Sequence, residues 1–382
     1  SGDSVRDRYQ GIIDEIEKHE KAIDSEMAEK HRQQAFEKLR NAREELIDDI
    51  HADFVEAGIE DISSGEVEEL EPFNWVLEFA EVYAEGGFDV IVGNPPWDVL
   101  SASIDDFFTR YEPRFRTYSQ ERKQEVKDEL LEDDSIRERW EQYQRQIQLL
   151  SDYFKDSDEY ELQTPTIAGN TATYKNDLSK LFFERVFRIA DDGGYVAQVL
   201  PGAIFNGQSS KDLRMEMLNE SKLDALVEFE NKGIFKGIDD RYRFGIVAFE
   251  NGGYTDELKG IFDQRDTDVL QNFEEQAVRI PRRVLENYSP EARIFPVVTS
   301  QDEVDVLNQI LTFPSLGDEI EETWKANPLP EELNKTRDSD RFIHDEGRAD
   351  YPVYTGENIH QFHYNDTIEP EIEELSFWSV EE

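Results

Sequence analysis

The chain has no cysteine, which excludes disulfides and thiolate metal sites. Cationic side chains are scarce: 41 Lys and Arg stand against 88 acidic residues, a formal charge of −47 over 382 residues. Taken alone, that balance argues against nucleic acid, because phosphate binding relies on Lys and Arg. Long apolar runs are missing too. None approaches the roughly 20 residues of a membrane-spanning helix, and no signal-peptide pattern is visible. The six histidines lie apart, and none pairs with Asp or Glu at metal-ligand spacing.

What remains is a folded protein. Hydrophobic residues make up 37% and aromatics 12%, too many for an acidic disordered tail. The acid is spread along the whole chain, and lysine is sparse beside arginine, 16 to 25. This is the surface of a halophile's cytoplasmic protein. In molar salt the Debye length is about 3 Å, so net repulsion from DNA is screened and local contacts decide.

Phe88-Asp89-Val90-Ile91-Val92-Gly93-Asn94-Pro95-Pro96-Trp97 is the most informative segment. A β-branched run between glycines predicts a buried, central strand of a parallel sheet. Ligands in open α/β sheets bind at the carboxyl ends of such strands, where Asn94 to Trp97 fall. Two prolines fix φ and keep the preceding residues out of the helical region. The Asn94 side chain and the Pro95 carbonyl become two fixed acceptors beside the Trp97 ring. An exocyclic nucleobase amine is a poor nucleophile, because its lone pair is delocalised. Two acceptors on its protons favour the pyramidal, nucleophilic form, and an aromatic face adds about 1–3 kcal/mol of stacking. The bland alternative is that Asn-Pro-Pro is only a turn.

This segment resembles the Asn-Pro-Pro-aromatic motif of adenine-N6 DNA methyltransferases, most of all the large enzymes of type IIG restriction-modification and BREX-type phage defence. The lead-in Pro72 to Tyr83 is similar to what precedes the motif there. Tyr351-Pro352-Val353-Tyr354-Thr355-Gly356-Glu357-Asn358-Ile359-His360-Gln361-Phe362 resembles the approach to their target-recognition region. The resemblance implies a class I methyltransferase (Rossmann-like) α/β sheet, with S-adenosyl-L-methionine as methyl donor and double-stranded DNA as partner.

Along the chain, residues 1–71 predict a helical hairpin and linker, with Ile12, Ile16, Ile23 and Met27 on one stripe and Phe36, Leu39, Leu46 and Ile50 on the next, separated at His31–Gln34. Residues 72–253 form the catalytic half, with a helical insertion over 101–163 whose stripe is Trp140, Tyr143, Ile147 and Leu150. Thr164 to Lys175 predicts a loop. Leu178–Ile189 predicts a helix with Leu181, Phe182, Val186 and Ile189 inward. Strands follow at 195–200, 223–229 and 244–249, the last two pairing as an antiparallel edge. Residues 254–382 form a small α/β extension leading into the recognition region.

Family members hold the cofactor through a Gly-rich turn after their first strand. Before Gly58 the only glycines are Gly2 and Gly11, and neither follows an apolar strand. Gly86-Gly87 precedes the motif strand and cannot serve. The expectation is therefore an internal or split portion that holds the second half of the sheet, with a second chain as possible carrier of the cofactor half.

The resemblance places a base-stacking aromatic in the loop before the final strand. Phe235 is the first candidate and Tyr242 the second; an ordinary buried Phe is the equal alternative. Lys232, Lys236, Arg241 and Arg243 in that loop are candidate phosphate contacts, with Arg279, Arg282 and Arg283 a weaker cluster. The expected function is methyl transfer to a flipped adenine, with Asn94, Pro95, Pro96 and Trp97 catalytic. The alternatives are a silent DNA-binding or scaffold fragment of a defence complex, and a methyltransferase acting on RNA or protein glutamine. No nuclease constellation stands out.

Overall fold

The computed structural model describes residues 2–167, 170–171 and 176–315, together with 318, 320, 333, 338, 341–343, 351–353, 359–360, 363–364 and 371–372. The chain divides into two compact units, Ser1–Leu311 and Thr312–Glu382. In the second unit, Glu371–Ile372 pairs antiparallel with both Tyr351–Pro352 and Phe342–Ile343, and Ile359–His360 pairs with His363–Tyr364. Tyr354 to Asn358, Gln361 and Phe362 of the expected recognition approach lie outside the described residues.

The first unit opens with a helical hairpin, α1 (Gly2–Glu20) and α2 (Ser25–Glu56). The break expected at His31–Gln34 falls at Lys21–Asp24 instead. Residues 31–34 hold no Gly or Pro, whereas the Asp24 carboxylate caps α2 by accepting the Met27 N–H at 2.8 Å. Ile23 thus lies in the turn, and Met27 and Phe36 are exposed rather than inward. Ile12, Ile13 and Leu46 pack instead on Leu77 and Ala80 of the lead-in. The insertion contributes α3 (Gln120–Leu130) and α4 (Asp134–Asp156). It has its own aromatic core of Phe107, Phe108, Phe115 and Trp140. Further along α4, Leu149 packs with Phe54, Ile59 and Val67, tying the insertion to the end of the hairpin.

The sheet is built from β1 (Phe88–Gly93), β2 (Ala190–Pro201), β3 (Ser221–Glu230), β4 (Arg243–Asn251), β5 (Glu257–Gln264) and β6 (Val278–Pro281). Its order is β1-β2-β4-β3-β5-β6. β1 and β2 pair parallel, as do β3 and β5, while β4 runs antiparallel between β2 and β3. α5 (Leu178–Ile189), α6 (Lys211–Asn219), α7 (Arg282–Tyr288) and α8 (Gln301–Ile310) contribute to the core on one face. There Phe183, Leu200, Met217, Leu226, Val247 and Phe249 are buried together. In α5 it is Phe183 that faces inward, and Phe182 is exposed: with Val186 and Ile189, residue 183 continues the three-residue spacing of one helix face.

Two further expectations are corrected. β3 and β4 do pair antiparallel, but inside the sheet, which continues through β5 and β6; residues 254–281 therefore begin as additional strands. Among the described residues β1 is an edge strand and not a central one. Ile91 packs on the helix-covered core, but Val90 and Val92 on the other face are 62% and 77% exposed. A β-branched run reports that a strand suits a covered sheet; it does not report what covers it. Gly86-Gly87 acts in this corner: a Cβ on Gly87 (φ 143°) would stand 3.0 Å from the Asp191 backbone nitrogen.

Candidate active site

Because β1, β2 and β3 run in the same direction, their carboxyl ends lie at one end of the sheet, together with the start of antiparallel β4. Asn94–Trp97 follows β1 there, Pro201-Gly202 ends β2, and residues 231–242 connect β3 to β4. This is where open α/β sheets place their ligands.

Gly93 turns the chain out of β1 directly over β2. A Cβ on Gly93 would stand 3.0 Å from the amide of buried Gln198, so a larger residue here requires that side chain to give way. Behind the motif, the Leu178 N–H donates to the Asp98 carbonyl at 2.9 Å and the Leu100 N–H to the Asn176 carbonyl at 2.8 Å. Asn176, itself buried, donates to the Ser151 carbonyl at 2.8 Å, so α4 of the insertion braces the loop. Asn94 and Pro96 are exposed and Pro95 is half-buried. Among the described residues, neither the Asn94 side-chain oxygen nor the Pro95 carbonyl accepts a hydrogen bond. Both predicted acceptors are open.

Trp97 anchors an aromatic cluster. Its indole N–H donates to the Val199 carbonyl at 3.4 Å. Tyr242 stacks on it at 5.6 Å between centroids and 13° between planes, while Phe235 meets it edge-on at 5.5 Å and 80°. Phe244 touches both Trp97 and Phe235, at 5.9 and 4.9 Å. The two sequence candidates are thus brought to Trp97, but Tyr242 holds the parallel position, not Phe235. Strand alternation explains this: Tyr242 and Phe244 are two apart at the start of β4 and project to one face. Burial first, then Asp177 and Asp98, pushes the Tyr242 phenol above its ordinary pKa.

The basic residues divide. Arg243 is withdrawn from the phosphate-contact set: it pairs with buried Glu228 at 3.0 Å and with Asp263 at 2.8 Å. Arg241 pairs with Asp239 and Lys232 with Glu230, both at 2.8 Å; the first pair is exposed and screened by water, and in the second the Glu230 side chain is half-buried. Arg241 holds the Asp239 carboxyl well below its usual range. Lys236 is exposed, and among the described residues no carboxylate pairs with it. Arg279 binds Glu257 of β5, Arg282 donates to the Leu218 carbonyl of α6 at 2.7 Å and Arg283 binds Asn308 of α8, so all three tie elements together. Two contributors were not singled out from the sequence: Phe244, and buried Asn231 at the root of the loop. An uncharged Asn directly after a strand is a turn signal that points to the second.

A profile of the Eco57I restriction-modification methylase family matches residues 15–132 and 143–235, more than half of the chain. The chain belongs to this family. The match takes in the hairpin, the motif loop, Asn231 and Phe235, and stops before Tyr242. A putative type II restriction enzyme and methyltransferase of Methanocaldococcus jannaschii is 44% identical over 46 residues, 12% of this chain and 4% of that protein. The chain thus matches only a small part of that relative's length. Among solved structures, the type I restriction-modification methyltransferase subunit from Streptococcus thermophilus aligns over 55% of this chain and 38% of its own, at 14% identity and a TM-score of 0.32. A modification subunit of a putative type I restriction enzyme from Vibrio vulnificus aligns over 47% and 26%, at 15% identity and 0.27. These loose likenesses add nothing to the geometry of the site.

Methylases of restriction-modification systems draw on S-adenosylmethionine, but the described residues do not fit a cradle for it. Among them no strand precedes β1; of the glycine pairs, Gly86-Gly87 abuts the backbone of Asp191, Gly193-Gly194 lies within β2 and Gly252-Gly253 follows β4. No group of His, Asp and Glu among them is placed to hold a metal ion, and no described helix is long and apolar enough to cross a membrane.

Proposed function

We propose that this chain supplies the substrate side of an adenine-N6 DNA methyltransferase of restriction-modification or phage defence. The observation that carries the reading is the coincidence of two open acceptors, Asn94 Oδ1 and the Pro95 carbonyl, with the Trp97 cluster at the carboxyl ends of parallel strands. The amine of a base laid against Trp97 would donate one proton to each acceptor, which turns its lone pair out of the ring plane. In duplex DNA the amine is paired, so the adenine must be flipped out. Rings with centroids 5.6 Å apart leave no room for a base between them. Tyr242 therefore gives way on binding, and Phe235 remains at the edge of Trp97. Lys236 is the loop cation freest to meet a phosphate, with Arg241 available by exchanging its exposed partner Asp239 and Lys232 by leaving Glu230. The methyl donor, S-adenosylmethionine, is held by a segment outside the described residues, in this protein or in a second chain.

Nucleoside digestion and mass spectrometry of DNA from cells expressing the complete system test this. N6-methyladenine should accumulate with wild-type protein and vanish with Asn94→Ala. Methylation of cytosine instead would overturn the adenine assignment, and no Asn94-dependent methylation would leave a silent scaffold.

A further inference from the structure

Asn231 directly follows β3 and is fully buried, at 0% exposure, in a loop otherwise crowded with charge. Its Oδ1 accepts the Phe235 N–H at 2.7 Å. Its Nδ2 donates to the carbonyls of Phe235 and Ile238, both at 3.1 Å, and of Asp239 at 3.3 Å. Its backbone N–H donates to the Tyr242 carbonyl at 2.8 Å. Five contacts from one residue therefore close the 232–242 loop on itself, and two of its partners are the residues whose rings lie on Trp97. Beside this amide, Ile234 and Phe235 pack on the cluster of Val227, Phe229 and Phe244, while the Arg241–Asp239 pair is exposed and adds little.

We propose that Asn231 is a positioning residue for the aromatic face of the site: its amide sets where Phe235 stands against Trp97, beside Tyr242 held by its backbone N–H, and so how a base is received. The proposal rests on the stacking role given above to Trp97. The chemistry calls for an amide. A carboxylate of the same size could accept from the Phe235 N–H, but it would offer no proton to the three carbonyls and would set a charge against their oxygens. Asn231→Asp should therefore behave like Asn231→Ala and not like the wild type.

The test uses the full chain carrying 5-fluorotryptophan, with the Trp97 fluorine resonance assigned by Trp97→Phe. In both Asn231 variants the Trp97 resonance should shift and broaden while those of Trp75 and Trp140 stay in place. Hydrogen exchange at the Phe235 amide should quicken at least about tenfold, with β4 amides unchanged. A thymidine oligonucleotide carrying one 2-aminopurine gives the second readout: wild type should quench its fluorescence on binding, and the variants should quench it less. An unmoved Trp97 resonance in either variant would overturn the proposal, even if exchange quickens. So would movement of all the resonances, which would make Asn231 a general stability residue. If wild type itself fails to quench 2-aminopurine, the base-stacking reading is lost, while the fluorine spectra still decide whether Asn231 places the rings.

Discussion

Two of the aromatic clusters among the described residues, around Trp140 and around Trp97, are built from the same kinds of ring at similar spacing, and one of these two is a candidate site. In the insertion, Trp140 meets Phe107 and Phe108 at 5.0 Å; at the sheet end, Trp97 meets Phe235 and Tyr242 at 5.5 and 5.6 Å. Trp140 is 6% exposed and Phe108 fully buried, whereas Tyr242 is 37% exposed. Amphipathic helices hold the first set. Strand ends and a loop knotted by one amide hold the second, beside two acceptors to which no described residue donates. Ring contacts alone therefore do not mark function. Partial exposure, the carboxyl ends of parallel strands and open polar groups do.

The sharpest way to break this contrast is to remove each indole. Trp140→Ala should cost about 3–5 kcal/mol of stability, as for other buried aromatics, and Trp97→Ala clearly less, both measured by urea unfolding in molar KCl. Equal losses would make the Trp97 cluster a second core. Next in size is the division among the basic residues. Arg243→Gln leaves Glu228 buried without its partner and should destabilise by about 3 kcal/mol. Lys236→Gln should leave the melting temperature unchanged and lower the salt dependence of DNA binding by about one counterion. An Arg243→Gln protein of normal stability would return that residue to the phosphate-contact set.

Across the whole surface, the −47 charge should make the melting temperature rise from dilute buffer to molar KCl as self-repulsion is screened. A melting temperature independent of salt would remove the halophilic reading. The smallest effect lies in the hairpin. Glu15 is bonded by His31 at 2.7 Å, Lys18 at 3.1 Å and Lys38 at 3.3 Å, and its pKa is pulled down to about 2, chiefly by His31. A depressed folded pKa adds stability above the ordinary carboxylate range and loses it as pH falls towards the folded value. The urea-midpoint gap between wild type and Glu15→Gln should therefore be full at pH 6 and close near pH 2. A gap constant with pH would mean that the ion pairs are not its source.

Much of the fold was legible because periodicity reports burial directly. The helix at 178–189 and the strands at 195–200, 223–229 and 244–249 all lie within observed elements of the same type. What failed was information that periodicity does not carry. The apolar run at 90–92 could not tell an edge from the middle of a sheet, since that depends on a neighbour distant in sequence. The stripe through Ile23 and Met27 looked helical because a turn of four residues barely interrupts the helical spacing, and only the capping Asp24 betrays it. At the site, Trp97 is legible from the motif loop itself, and Phe235 and Tyr242 only through the family resemblance, which places an aromatic in the loop before the final strand. Their relative tilt, and the amide of Asn231 beneath them, arise from backbone hydrogen bonds that side-chain chemistry does not announce.

The central claim is that Asn94 acts on an amine and is not merely part of a turn. The most direct measurement compares methyl transfer and DNA binding by the complete system with wild-type chain and with Asn94→Ala. Loss of an acceptor whose bond strengthens as the amine pyramidalises should lower turnover by about 10²–10³-fold, as for other lost transition-state hydrogen bonds, with DNA affinity nearly unchanged. Methylation by Asn94→Ala at the wild-type rate would contradict the account and leave the motif as a turn.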